Sequence, residues 1–395
     1  MGSGVLRAGQ RSMRVLLVSS GSGSRGGGEI FLDYLGSALA SRGHDIIVWM
    51  PDHSRMDELA ERCRGFATVL RSKYRNTYDR RGRSLSTCFN QAVSRDIAHE
   101  WQGLKPDVLH LNKQNLEDGL DLLRAARLCD GLPSVCTIHL TQTAAHLGAR
   151  FGWLRDSIAH RELGKYRGIL VAVQETRRAA LDAFLEGRAR TETVFNGVPL
   201  VDYTELGHVR ATKRTELGLT DSDFVVIGLG RLVEQKRPLL FLQTAKELHR
   251  YLPGARFLWV GDGALVEQWK AWVARENLEH IIRCVGWQSS VLPFLLAADL
   301  MLHVAEYEGL PLAIIEAMAA GVPVAMTRGF ASEVPFFDQR SVFFLDDAQT
   351  LAGKLADSLL LSRVKERART LVANELSIHA MSSSYERLYA RALQG

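Results

Sequence analysis

Several features are missing from this chain of 395 residues. No apolar run approaches the ~18 residues that a membrane-crossing helix needs, so no span is predicted. The N-terminus has no apolar core of the signal-peptide kind. No tandem repeat or low-complexity stretch is present, which excludes a repeat architecture. The five cysteines, Cys63, Cys88, Cys129, Cys136 and Cys284, show no paired short spacing. That excludes the usual zinc and disulfide frames and reads as reduced thiols of a cytosolic chain. The expected location is cytoplasmic, with peripheral contact on the inner face of a membrane as a variant. Residues 1–12 hold Gly, Arg and Ser ahead of the first strand, and Met13 is expected to be the natural start.

What is present suits a globular enzyme-sized chain. Hydrophobic residues make up 46% of it, enough for two cores, and its length fits two ordinary domains. The formal charge of +5 suits an acidic partner or a membrane surface.

The most informative stretch is 306–323. An apolar run over 299–304 reads as a buried strand. Gly309 and Pro311 then turn the chain, with Pro311 suited to the first helical position. The helix is expected to reach about Ala320, with Gly321 as its C′ stop. Glu316 lies mid-helix among Ala, Ile, Leu and Met. A carboxylate buried there needs hydrogen-bond donors, and a sugar diol supplies two. Glu308 precedes the helix, whose N-terminus offers free N–H groups and a positive dipole end to an anion.

Two glutamates separated by seven residues, with Gly-Leu-Pro-Leu after the first and Glu-Ala-Met-Ala-Ala-Gly-Val-Pro-Val at the end, resemble the donor-site signature of retaining glycosyltransferases of family 4. The resemblance implies the GT-B fold, α/β with two Rossmann-like domains whose parallel sheets face a cleft. It implies that Glu308 and the backbone of Gly309, Leu310 and Leu312 lie at the donor sugar, and that Glu316 holds the ribose. One departure stands out. Many relatives carry Pro-Ser where this chain has Val304-Ala305, which removes a hydroxyl near the donor.

In the first half, an apolar run over 13–20 is followed by glycines to Gly28, an amphipathic helix and a second strand over 45–50. Strand, glycine loop, helix and strand open a dinucleotide-type βαβ unit. Gly21, Gly23 and Gly26 spell a loose G-x-G-x-x-G, and Asp52 stands where an NAD site wants its acid, so an NAD reading is kept open. Gly26-Gly27-Gly28-Glu29 and Arg42-Gly43-His44 also resemble the family's Gly-Gly-x-Glu loop and Arg-Gly-His turn. That resemblance puts Gly26, Gly27 and Gly28 at the donor diphosphate. Strands over 107–111 and 134–138 end at Asn112 and His139, where open α/β sheets bind ligands. By resemblance His139 stands beside the reaction centre, and Asn112 is a candidate acceptor contact. Strands are also expected over 168–174 and 192–195.

Residues 71–84 carry six Lys or Arg against one acid, Asp79. Two readings stand: a solvated mobile loop, or a docking surface for an acidic acceptor or anionic lipids through Arg80 and Arg81. No nucleic-acid module surrounds them.

In the second half a strand over 223–230 runs into Gly230-Arg231, with Lys236 at the next helix start. An Arg fork and a Lys point charge there suit one phosphate site. The stretch resembles the family's Gly-Arg-Leu-x-x-x-Lys, which makes Gly230, Arg231 and Lys236 diphosphate ligands. Trp287 either walls the base pocket or belongs to the core. Asp221-Ser222-Asp223 mimics a metal-binding Asp-x-Asp but precedes a strand as a turn would, so it is assigned no ligand role. The expected domains are 13–198 for the acceptor and 199–375 for the donor, with 376–395 as a helix crossing back.

The expected reaction is retaining transfer of a hexosyl group of glucose, N-acetylglucosamine or mannose type. The donor is a nucleotide diphosphate sugar, foremost a UDP-sugar. His139, Arg231, Lys236 and Glu308 are the catalytic candidates, with no metal and no cofactor. The acceptor is a glycan, a lipid-linked glycan or a small molecule, and nucleic acid is not a partner. The alternatives are a nucleotide-sugar epimerase, a phosphorylase or a non-catalytic sugar-nucleotide binder.

Overall fold

The computed structural model describes residues 11–21, 23, 25–88, 91–202 and 206–394, without the side chain of Cys88. The expectations for residues 1–10, Ser22 and Ser24 lie outside the described residues. The chain forms two compact units, one of residues up to Gly197 together with Ile378 onward, the other Val198–Ser377.

The first unit is built on a seven-stranded parallel sheet. Its strands are β1 (Arg14–Ser19), β2 (Asp45–Pro51), β3 (Thr68–Ser72), β4 (Val108–Asn115), β5 (Ser134–Leu140), β6 (Ile169–Ala172) and β7 (Arg190–Thr193). They lie in the order β3-β2-β1-β4-β5-β6-β7. Val15, Leu16, Leu17 and Val18 of the central β1 are fully buried, as a strand covered on both faces requires. The second unit has six parallel strands, β8 (Phe224–Leu229), β9 (Ala255–Val260), β10 (Ile282–Gly286), β11 (Leu300–His303), β12 (Val324–Thr327) and β13 (Phe343–Leu345). Their order is β10-β9-β8-β11-β12-β13. In both sheets the strand order reverses beside the first strand, the switch point where such sheets bind ligands.

The last helix, Ile378–Gln394, completes the first unit. Its Met381, Tyr385, Leu388 and Tyr389 join the core that holds Val15, Leu17, Phe31 and Val48. Tyr389 Oη bonds His110 Nδ1 at 2.6 Å, His110 Nε2 bonds Thr137 Oγ1 at 2.8 Å, and Thr137 Oγ1 bonds Tyr385 Oη at 2.7 Å. Arg42 donates two hydrogen bonds to the Glu386 carboxylate, each 2.6 Å. Backbone N–H of Met13 donates to His44 Nδ1 at 3.2 Å, so Nε2–H is the proton that meets Glu386 at 2.9 Å. The Arg-Gly-His turn thus anchors the closing helix, a role its sequence context did not suggest.

Two local expectations are corrected. Pro311 is the N-cap of helix Leu312–Ala319, with ψ 121°, and not its first residue. The helix stops where Gly321, at φ +72°, permits the bonds Val322 N–H to Ala317 O and Gly321 N–H to Met318 O. Residues 71–84 are not a bare cationic loop. Arg71 lies in β3 and pairs with Asp57 at 2.9 Å, while Arg55 meets Asp79 at 2.7 Å. Arg80, 12% exposed at its side chain, pairs with buried Asp121 at 2.6 Å. Its partner is an acid inside the unit, so Arg80 is not a free docking cation; Arg81 remains exposed.

Candidate active site

Two motifs some seventy residues apart meet in the second unit, at the C-terminal edge of its sheet. The reason is topological: β8 and β11 are parallel neighbours, with Val226 opposite Leu300, so the turns leaving them lie side by side. After β8 the chain passes Gly230, at φ +140°, where a side chain would press on the Lys236 stem 3.0 Å away. A short 3-10 turn, Glu234–Lys236, follows. The two segments are then laced together. Glu306 N–H donates to Gln235 O at 2.9 Å, Gln235 Nε2 donates to Tyr307 O at 3.0 Å, and Arg237 meets Glu306 at 2.7 Å.

At the centre Lys236 Nζ forms an ion pair with Glu308 Oε1, both side chains mostly covered. Arg231 is exposed nearby. Burial raises the Tyr307 phenol above its usual range, Glu306 and Glu308 add to that, and Arg231 opposes it. Gly309, Leu310 and Leu312 are buried. Glu316 is half-buried on the helix between buried Ile315 and Ala317. Trp287, half-buried after β10, is not part of the closed core. Asp223 accepts from Thr220 N and Oγ1 at 2.6 and 2.8 Å, which is turn chemistry.

One residue was missed. His303 ends β11, is 3% exposed, and stacks at 5.0 Å from Phe330. Its Nε2 is buried without a hydrogen-bond partner among the described residues. Burial first, and then the Lys236 ammonium, hold its pKa well below the usual value, so the ring is neutral. A histidine closing an apolar strand run was the available signal, the same one that singled out His139.

The first unit gathers a second cluster at the C-terminal ends of β1, β4 and β5. Asn112 Nδ2 donates to Gly28 O at 2.7 Å, which fixes the amide orientation. Asn112 Oδ1 therefore accepts from His139 Nε2 at 2.8 Å, leaving Nδ1 as the lone-pair nitrogen of the neutral ring. Phe31 meets that ring edge-on at 5.0 Å. Asn112 is 1% exposed with both ends of its amide engaged, so the expectation of an acceptor contact is corrected: it positions His139 and the glycine turn. Gly26 is the N-cap of helix Gly27–Ser41, and at Gly28 a side chain would collide with Gln114.

Burial lowers His139 to about 4. Its folded pKa lies below the unfolded value, so its stabilising contribution is complete above about 6.5 and is lost as pH falls towards 4. The contribution is about 3 kcal/mol. Buried Asp118, raised to about 6 chiefly by desolvation, acts in the opposite sense over part of this window. Replacing His139 by Gln should therefore flatten the fall of urea stability between these pH values. An unchanged slope would show that the ring already protonates in the folded state.

Twin parallel sheets, each with a glycine turn at the C-terminal edge of its first strand, place the chain in the GT-B fold class. The family model described as Glycosyltransferase Family 4 matches residues 25–201, and Glycosyl transferases group 1 matches 209–371. The chain belongs to the glycosyltransferases that combine these two domains. It is 28% identical over 202 residues to UDP-Gal:alpha-D-GlcNAc-diphosphoundecaprenol alpha-1,3-galactosyltransferase of Escherichia coli, covering 49% of this chain and 52% of that one. It is 30% identical over 196 residues to the lipopolysaccharide core biosynthesis glycosyltransferase LpsE of Rhizobium meliloti, covering 48% and 56%. The chain thus spans about half the length of these curated relatives. Among solved structures, Anabaena HepE in complex with UDP and glucose superposes with a TM-score of 0.73 at 17% identity, covering 96% of this chain and 99% of that one. With this family the NAD alternative falls away; Asp52, its required acid, lies 3.4 Å from Arg71.

Proposed function

We propose that the chain transfers a hexosyl group from a UDP-sugar to an acceptor hydroxyl with retention of anomeric configuration and without a metal. The observation that carries the reading is the convergence of Gly230, Lys236 and Glu308 beside exposed Arg231 in one unit. Leaving-group departure puts negative charge on the diphosphate and positive character on the sugar carbon. Lys236 and Arg231 stabilise the first as preorganised cations. Lys236 turns from Glu308 to the phosphate, which releases the carboxylate to the donor sugar. In the first unit, neutral His139 accepts a sugar hydroxyl at Nδ1, and the glycine turn offers N–H groups to phosphate. The E. coli relative is named for a UDP-galactose donor and a diphosphoundecaprenol-linked acceptor, and the HepE complex holds UDP and glucose. Both support a UDP-sugar, and the E. coli relative supports a lipid-linked glycan acceptor. Any docking role of 71–84 narrows to its exposed cations, Lys73, Arg75, Arg81 and Arg83.

The test is incubation with labelled UDP-, GDP- and ADP-sugars, following hydrolysis and transfer by mass spectrometry. Turnover of UDP-hexoses is expected, and turnover of none would overturn the reading. Ribose binding has its own check. Glu316→Gln should weaken UDP binding about tenfold to a hundredfold, as loss of one or two charge-assisted bonds implies. The 2′,3′-dideoxy nucleotide lacks the diol, so the variant should bind it almost as the parent does. Equal weakening of both nucleotides would instead make Glu316 a prop for its helix.

A further inference from the structure

The first unit carries an exposed apolar knuckle that nothing in the donor chemistry uses. It lies between β5 and helix Gly152–Leu163. Trp153 is 70% exposed, Phe151 54% and Leu147 41%. The backbone beneath them is pinned. Ala144 and Ala145 N–H donate to the Asp156 carboxylate at 2.7 and 2.9 Å, and Gly152 N–H to Ala149 O at 2.8 Å. Phe151 itself is held at φ +56°, a left-handed backbone that a bulky residue rarely adopts. Arg155 and Ser84 both bond the Glu117 carboxylate, at 2.7 and 2.8 Å. That shared carboxylate ties the buried face of the helix to the turn Arg83–Cys88.

The charge around it is of one sign. Over residues 141–167 the exposed Arg and Lys are Arg150, Arg161, Lys165 and Arg167, and no acid is exposed. The two acids there are engaged: Asp156 caps the turn, and buried Glu162 faces Arg124, Arg127 and Arg161. Arg150 lies 5.1 Å over the Phe151 ring. On the helix, Trp153, Ser157 and Arg161 recur every four residues and share one exposed face. An indole and a phenyl ring standing out of a cationic field suit one kind of surface. Aromatic rings settle at the headgroup level while Lys and Arg meet lipid phosphate.

We propose that Leu147, Phe151 and Trp153, with Arg150 and Arg161 beside them, dock this unit on a membrane rich in anionic lipid. The surface belongs to the first unit alone and stands independently of what the second unit binds.

The test uses the full chain and vesicles of phosphatidylglycerol with phosphatidylcholine, against phosphatidylcholine alone. Cosedimentation is expected with the anionic vesicles and should weaken with salt. Trp153→Ser with Phe151→Ser should lower the partition coefficient by about tenfold to a hundredfold. Arg150→Ser and Arg161→Ser together should abolish the preference for phosphatidylglycerol. Trp153→Phe should keep binding but lose the fluorescence quenching caused by lipids brominated in their acyl chains. Failure of the parent chain to sediment at low salt would overturn the proposal. So would unchanged vesicle binding by the double aromatic variant. A raised KM for a soluble glycan acceptor in that variant, with vesicle binding intact, would mark the knuckle as a sugar-stacking platform instead.

Discussion

Lys236→Ala should lower kcat/KM for transfer about a hundredfold to a thousandfold, on the order of 2–4 kcal/mol, the usual loss for one preorganised donor at a developing anion. Two effects add. The diphosphate loses a cation, and Glu308, 8% exposed, loses its ion-pair partner. On the proposed reading the compensating charge comes from side chains, so the parent enzyme should keep its rate in excess EDTA. Lys236→Arg should recover only part of the loss, since a planar fork does not reproduce the reach of an ammonium over Gly230. Steady-state kinetics with a UDP-sugar decides the matter. A rate that collapses in EDTA and returns with a divalent ion would remove the metal-free mechanism, and an unaffected Lys236→Ala would remove the residue from it.

Glu386→Ala should destabilise the first unit by about 3–5 kcal/mol, the range for breaking a buried ion pair from one side. The carboxylate is 4% exposed and faces the His44 side chain, fully buried, and Arg42, 19% exposed. Removing it strands the guanidinium and the imidazole N–H against the closing helix. Arg42→Ala combined with Glu386→Ala should cost less than the sum of the single changes, because they share one interaction. Urea unfolding followed by a probe in the first unit measures this. A loss below about 1 kcal/mol, the value of an exposed pair, would mean that the helix is held by its tyrosines and leucines alone.

Much of the frame was legible because it is written in local chemistry. Continuous Val and Leu runs marked β1, β8 and β9, and glycines marked the turns after them. The stop at Gly321 was legible for the same reason: only a left-handed residue closes that helix end. The Lys236–Glu308 pair was not, since it depends on β8 lying beside β11, and adjacency of strands is a tertiary fact. Residues 71–84 misled for a related reason. Asp57 and Asp121, which neutralise Arg71 and Arg80, stand far off in sequence. β3 was hidden because its last residues, Arg71 and Ser72, read as the start of the polar stretch. Asn112 was expected just past a strand end but lies within β4, and its partners Gly28 and His139 come from other segments. His303 escaped notice because an apolar run reads as core even when it ends in an imidazole.

The closing helix sets an order of events on the ribosome. The first unit needs residues 378–394 to finish covering Val15, Phe31 and Val48, yet those residues are made only after the whole second unit. Its sheet can pair as it emerges and helix Gly27–Ser41 can cover part of that side, but the share of the closing helix stays open throughout synthesis of the second unit. The second unit is an uninterrupted segment and has all its parts sooner. Domains usually finish in the order they are translated. Here the second unit has all its residues before the first, and the nascent chain carries the apolar patch meant for the closing helix while the second unit is made, an interval in which a holding chaperone has something to grip.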